Sequence, residues 1–321
     1  MHTFCYAAST FGRLVGAFRG IPTIIHDFDT QVYFPYPMYL RILDRVLANK
    51  TARGFAASSM CRDYMRDVRR VPGDRLDILY HAIPRELLDL AQATDKTTER
   101  EKIGWQAGST VYACITKLGP DRGNDTLLKS FRRVIESNPS ARLALIYKPT
   151  LYHRVPAEYE NIPWIRDVDA MRQHIKQQIS DLGLVDHVDL IEASYSIQAY
   201  YAACDVIVAP FENGRFSSVN LVEALAFGKP FIATDLGEPL EIHSDHGVGI
   251  MVPPRDEKAL AKAMSSIADD PTKLAELSRQ ALEVSGEFTV KASARRFEGL
   301  YESLAIGSAR KVLPESRSAA R

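Results

Sequence analysis

Asp205-Val206-Ile207-Val208-Ala209-Pro210, a polar loop through Asn213-Gly214-Arg215-Phe216-Ser217-Ser218, then Val219 to Phe227, Gly228-Lys229-Pro230 and Phe231-Ile232-Ala233 is the stretch that decides the fold. Val206–Ala209 is a short unbroken apolar run, which fits a strand buried on both faces. Val219–Phe227 carries a helical stripe that stops at a glycine, and Pro230–Ala233 begins the next strand. Strand, polar loop, helix and strand in that order make one unit of a parallel sheet covered by helices. Outward from it the same alternation repeats. Strands are expected at Thr23–His26, Arg53–Ala57, Leu76–Tyr80, Thr110–Ile115, Arg142–Tyr147, Val188–Ile191 and Gly249–Val252, with striped helices at Asp125–Asn138 and Glu257–Ala268. The fold class is α/β, doubly wound.

The chain has 321 residues, 46% hydrophobic and 25% charged, the balance of a globular protein with a sizeable core. Forty cations against forty acids give no net charge, so nothing global points to nucleic acid, and any anion site must be local. Cys5, Cys61, Cys114 and Cys204 form no metal-ligand spacing and fit a reduced, cytoplasmic chain. No uncharged apolar run reaches the ~18 residues of a membrane-spanning helix. Arg13 and Arg19 interrupt the mildly apolar start, unlike a secretory leader.

A polar stretch without apolar period, Ala91–Lys102, sets the expected boundary between a first domain, 1–100, and a second, 101–288. Three expected strands make the first domain a small, incomplete sheet. A striped helix at Lys291–Leu304 is expected to pack on it, within a segment 289–304, ahead of a disordered tail, 305–321.

Three loops of the second domain follow strands, where doubly wound folds bind ligands. In Lys117-Leu118-Gly119-Pro120-Asp121-Arg122-Gly123 two cations flank a Gly-Pro turn ahead of a helix start, an arrangement for holding phosphate. The ordinary alternative is a solvated turn with surface cations. In the second loop, Glu223 stands among apolar neighbours and needs a partner, either Lys229 or the hydroxyls of a ribose. Gly237, in the third, lets backbone amides approach a ligand. Asp27-Phe28-Asp29 and Asp167-Val168-Asp169 match a metal-binding Asp-x-Asp pattern at a frequency chance explains. Dinucleotide, P-loop and serine-hydrolase signatures are missing from the sequence.

Together these motifs resemble family 4 glycosyltransferases of the GT-B fold. Glu223-Ala224-Leu225-Ala226-Phe227-Gly228-Lys229-Pro230 is similar to that family's Glu-Ala-Met-Ala-x-Gly-x-Pro block, and Lys117-Leu118 with Arg122-Gly123 to its phosphate-binding pair with the cations exchanged. Ala202 to Pro210 is similar to the preceding strand. Gly20-Ile21-Pro22-Thr23-Ile24-Ile25-His26 resembles the strand ending in a histidine near the donor sugar. The resemblance implies two Rossmann-like domains, the first incomplete because the family's initial strands are missing from it. It implies a retaining transfer from a nucleoside-diphosphate sugar to a glycan, lipid or small-molecule acceptor, without metal or other cofactor. His26, Lys117 and Arg122 would be catalytic, while Glu223, Arg215, Ser217, Ser218 and Gly237 would bind substrate.

Three departures qualify that picture. Arg215 stands where the family has a glutamate, and would suit an anionic sugar or acceptor. Lys148-Pro149-Thr150 replaces a glycine turn after Tyr147, and Leu151–Ala170 is an insertion rich in Tyr, Trp and Arg that suits a large ligand. A peripheral membrane contact and a partner chain supplying the missing strands stay open. The competing reading is a nucleotide-sugar-binding subunit, or a relic, without turnover.

Overall fold

A computed structural model describes residues 1–28, 36–151, 155, 157–193, 197–213 and 219–312, with side chains up to Ala305. The chain divides into two compact units, Met1–Tyr80 with Thr289–Arg321, and His81–Phe288.

The first unit runs β1 (His2–Phe4), α1 (Tyr6–Arg19), β2 (Thr23–Asp27), α2 (Met38–Val46), β3 (Thr51–Ala56), α3 (Ser59–Asp67) and β4 (Leu76–Ile78). Its strands are all parallel and lie in chain order, β1-β2-β3-β4. Right-handed crossovers between successive neighbours place α1, α2 and α3 on one face. The pleat agrees. Ile25 packs with Cys61 and Met65 of α3, while His26, the next residue, meets the ring of Phe297 on the other face. α1 lies close to the sheet because its inward positions are small: a Cβ on Gly12 would stand 2.5 Å from the Thr3 side chain, and one on Gly16 would strike Thr23.

Beneath α1 and α2 lies an ionic core. Asp44 is fully buried and pairs with Arg13 and, at 2.8 Å, with Arg69, which also holds Asp27. Thr10 donates to Asp44 at 2.6 Å, and Arg69 lies over the Tyr6 ring at 4.4 Å. Burial pulls both guanidinium pKa values down and the Asp44 carboxyl up, and the pairing of Arg13 with Asp44 opposes the shift of each.

The second unit runs α4 (Arg85–Ala93), α5 (Lys96–Ile103), β5 (Val111–Lys117), α6 (Asn124–Ser137), β6 (Arg142–Lys148), α7 (Val168–Asp181), β7 (Val188–Glu192), α8 (Gln198–Ala203), β8 (Val206–Ala209), α9 (Val219–Ala226), β9 (Phe231–Thr234), α10 (Gly237–His246), β10 (Ile250–Val252), α11 (Glu257–Ala268) and α12 (Pro271–Ser285). A final helix, α13 (Val290–Val312), belongs to the first unit. The second sheet is six-stranded and parallel in the order β10-β9-β8-β5-β6-β7. Strand order therefore reverses between β5 and β8, the doubly wound arrangement with a topological switch point. Its core centres on Tyr112, Leu127, Phe131, Leu145 and Met264.

Ala91–Lys102, expected as a linker, instead holds the end of α4 and most of α5 and lies in the second unit, and the division falls after Tyr80. α5 escapes an apolar pattern because charge holds it. Buried Arg100 bonds Asp205 at 2.6 Å and the carbonyls of Ala203, Ala107 and Ser109, and Lys96 reaches the same aspartate. The first sheet has a fourth strand, β1, too short to stand out in the sequence. α13 continues beyond Leu304 to Val312, so the expected tail begins as helix, while 313–321 lie outside the described residues. Its Phe297 packs on Phe55 at 5.0 Å, and Arg296 donates to the Ile78 carbonyl at 3.0 Å.

Candidate functional site

The carboxyl end of β5, at the switch point, carries the two cations the sequence singles out. Lys117 is the last residue of β5 and pairs in register with Lys148, the last of β6, so two cations stand side by side where the strands end. Like charges on directly opposed positions repel. Arg122 closes the turn after β5, with its guanidinium 5.7 Å from the Phe211 ring centre and 3.8 Å from Asp121. Gly123 has φ 68° and leads into α6, and a Cβ there would overlap the Pro210 carbonyl. That close approach needs glycine on both counts.

Hydrogen bonds join the three loops. Glu212 N–H donates to the Asp121 carbonyl at 3.1 Å, tying the turn after β8 to the turn after β5. Thr234, ending β9, donates to the Phe211 carbonyl at 2.8 Å. Glu212 is also paired with Arg255 at 2.7 Å. Gly237 has φ 59° and opens α10 directly, so it sits at a helix start and not in a free loop.

Glu223 lies on α9, and its partner inside the chain is not the expected Lys229. Tyr201 of α8, fully buried, donates to Glu223 Oε2 at 2.9 Å. Lys229 instead donates to the Ala202 carbonyl at 3.0 Å. Burial raises the Glu223 carboxyl above its usual range, and the Tyr201 hydrogen bond and the Lys148 charge oppose that rise. Asn220, also on α9, donates to the Ile115 carbonyl at 2.8 Å and fixes the helix against the end of β5. Lys117, Arg122, Glu223 and Gly237 thus belong to the second unit. His26 belongs to the first, 5% exposed at the end of β2 among the rings of Phe4, Phe28, Phe55 and Phe297. Arg215, Ser217 and Ser218 lie outside the described residues.

Residues 95–284, more than half of the chain and nearly the whole second unit, match the family of glycosyl transferases group 1. The chain belongs to that family. D-inositol 3-phosphate glycosyltransferase of Stackebrandtia nassauensis is 26% identical over 213 residues, 64% of this chain and 44% of that protein. The GDP-mannose-dependent monoacylated alpha-(1-6)-phosphatidylinositol monomannoside mannosyltransferase of Corynebacterium glutamicum is 26% identical over 208 residues, 63% and 48% of the two chains. The chain thus spans about half the length of these relatives. Anabaena HepE in complex with UDP superposes with TM-score 0.74 at 18% identity, covering 94% of this chain and 78% of that one. Sucrose-phosphate synthase from Thermosynechococcus elongatus gives 0.71 at 19%, covering 95% and 73%. The fold is α/β of the GT-B kind, with two parallel sheets.

Among the described residues no cluster of three or more His, Cys, Asp or Glu is arranged to hold a metal ion. Of the Asp-x-Asp residues, Asp27 is engaged by Arg69, Asp167 caps α7 and Asp169 pairs with Arg172, while Asp29 lies outside the described residues. Among the described residues no helix is long and apolar enough to cross a membrane. In the insertion after β6, Trp164 stacks on His174 at 4.4 Å and packs on the core, and Val155 and Ile165 are buried, so these side chains serve the fold.

Proposed function

We propose that the second unit holds a nucleoside-diphosphate sugar and that the chain transfers the sugar, with retention of configuration, to an acceptor. The observation that carries this reading is the placement of Lys117 at the end of β5 and Arg122 on the turn that follows, at the switch point, with that turn hydrogen-bonded to the loop after β8. Breaking the sugar–phosphate bond builds negative charge on the leaving diphosphate, and cations fixed beforehand stabilise it as it develops. Glu223 takes the ribose hydroxyls, and Gly237, opening α10, offers backbone amides. Arg215, Ser217 and Ser218 are assigned to the donor by their place in the loop, and His26 enters on the resemblance of its strand alone. This chemistry asks for no metal or cofactor.

Calorimetric titration tests it. UDP or GDP should bind and raise the melting temperature, with NAD and ATP much weaker. A flat titration with both diphosphates at millimolar concentration overturns the donor site. Binding without sugar transfer or donor hydrolysis would favour the non-catalytic subunit.

A lipid-borne acceptor and a peripheral contact with an anionic membrane have their own support in the first unit. The outer side of α1 exposes Phe11, Val15 and Phe18, and that of α2 exposes Met38, Tyr39, Ile42 and Val46. Arg19, Arg41 and Arg45 are exposed on the same helices, whose one acid, Asp44, is buried. Apolar and cationic groups without exposed acids complement an anionic bilayer surface. Cosedimentation with phosphatidylcholine vesicles containing phosphatidylglycerol, but not with phosphatidylcholine alone, is expected, and Ile42→Glu should abolish it. Equal behaviour with both vesicles, or self-association that Ile42→Glu abolishes instead, would overturn it.

A further inference from the structure

Tyr201 makes a contact that packing does not require. The residue is fully buried on α8, its ring 5.6 Å from that of Phe227, and its hydroxyl crosses to α9 to donate to Glu223 Oε2 at 2.9 Å. Asn220 Oδ1 lies 3.3 Å from the same hydroxyl, a second and longer acceptor for its single proton. Among the described residues Tyr201 is the hydrogen-bond partner of Glu223. Asn220, through its own bond to the Ile115 carbonyl, anchors this pair to the end of β5, where the anion loop begins. A buried phenol on a stiff two-angle side chain is a donor of fixed position. Its hydrogen bond holds one carboxylate oxygen in place and so limits where the second oxygen can point.

We infer that Tyr201 is the positioning residue that orients the Glu223 carboxylate toward the cis-diol of the donor ribose. This rests on the donor site proposed above. The division of labour follows from hydrogen-bonding capacity: a carboxylate accepts at two oxygens, one is engaged by the phenol, and the other is left to the hydroxyls. Preorganisation of this kind lowers the ordering cost that a flexible glutamate would meet on binding.

The experiment titrates whichever of UDP and GDP binds more tightly, against its 2′,3′-dideoxy form, with wild type, Tyr201→Phe, Glu223→Gln and the double variant. Wild type should prefer the ribo form by roughly 10- to 100-fold, the range of hydrogen bonds to a charged group. Tyr201→Phe keeps the ring and its volume. It should lose most of that preference by weakening the ribo form alone, leave the dideoxy form unchanged, and move the acid limb of ribo-form binding to higher pH. In the Glu223→Gln background the same change should add nothing. Equal binding of both forms by wild type would remove the ribose role of Glu223, and this inference with it. A wild-type preference that survives in Tyr201→Phe would overturn the role of Tyr201 alone. Equal weakening of both forms, with a lower melting temperature, would make the tyrosine a packing residue and overturn it too.

Discussion

Both units bury charges under a parallel sheet, but the charges face different ways. In the first, Arg13, Arg69, Asp27 and Asp44 face one another across α1, α2 and the end of β2, two cations against two acids. The strands there follow chain order, so no reversal opens a crevice at their ends. In the second, the order reverses, and cations gather at the reversal: Lys117 and Lys148 adjoin in register, with Arg122 a turn away and 3.8 Å from Asp121. The first set is closed on itself and holds a fold together, whereas cations adjoining in register suit the anion proposed for the second unit. The Arg100–Asp205–Lys96 contact shows that the second unit also uses ion pairs structurally, away from the strand ends that carry the site.

The strongest way to break this contrast is Asp44→Ala, which leaves Arg13 and Arg69 buried without their shared acid. The expected loss is ~3–5 kcal/mol, much of the stability of a small domain. Hydrogen exchange should then report opening across β1 to β4 while β5 to β10 keep their protection, and uniform protection would show that the ionic core is dispensable. Next comes Gly123→Ala. An alanine at φ 68° costs ~1–3 kcal/mol in conformation before the overlap with the Pro210 carbonyl is counted. It should separate the loops after β5 and β8, and nucleotide binding should fall together with the melting temperature.

Lys117→Ala sharpens the comparison instead, since it acts at the proposed anion site and not in the ionic core. Affinity for the nucleoside diphosphate should drop by roughly 10- to 100-fold while the bare nucleoside binds as before. Equal losses for the two would mean that Lys117 is structural, like Arg13. The smallest effect is that of pH. Burial raises the Glu223 carboxyl above its ordinary value, so on acidification it gains a proton before exposed glutamates do. Ribose-dependent affinity should therefore weaken as pH falls, beginning above the usual carboxylate range, by at most ~10-fold per pH unit. The linked effect on stability has the opposite sign. A raised carboxyl favours the folded state while protonated, and that contribution is lost as pH rises through the folded-state value. Titration calorimetry from about pH 7 to about pH 5 reads the binding arm.

The second sheet was legible because strands buried on both faces become unbroken apolar runs, as at Val206–Ala209, and because glycines mark the turns between them. The loops that carry Lys117, Arg122 and Glu223 followed from their place after those strands. What escaped reading is held by partners distant in sequence. Arg13 reads as an interruption of an apolar start, yet it is neutralised by Asp44, 31 positions on. Helix α5 reads as a linker because ionic contacts with Asp205 replace an apolar stripe. Tyr201 meets Glu223 across 22 positions, and no local pattern distinguishes it from Lys229 as a partner. β1, with only three residues, lies below the length at which alternation can be read.

The return of α13 to the first unit gives synthesis a direction. Tyr80 leaves the ribosome long before Phe297, and translation at ~5–20 residues per second makes the interval roughly ten to forty seconds. Throughout it the face of β2 and β3 that carries His26 and Phe55 has no Phe297 to cover it, and every strand of the second unit is made within that interval. The nascent chain should therefore complete its second unit first and hold the sheet of its first unit open to chaperones until Phe297 emerges.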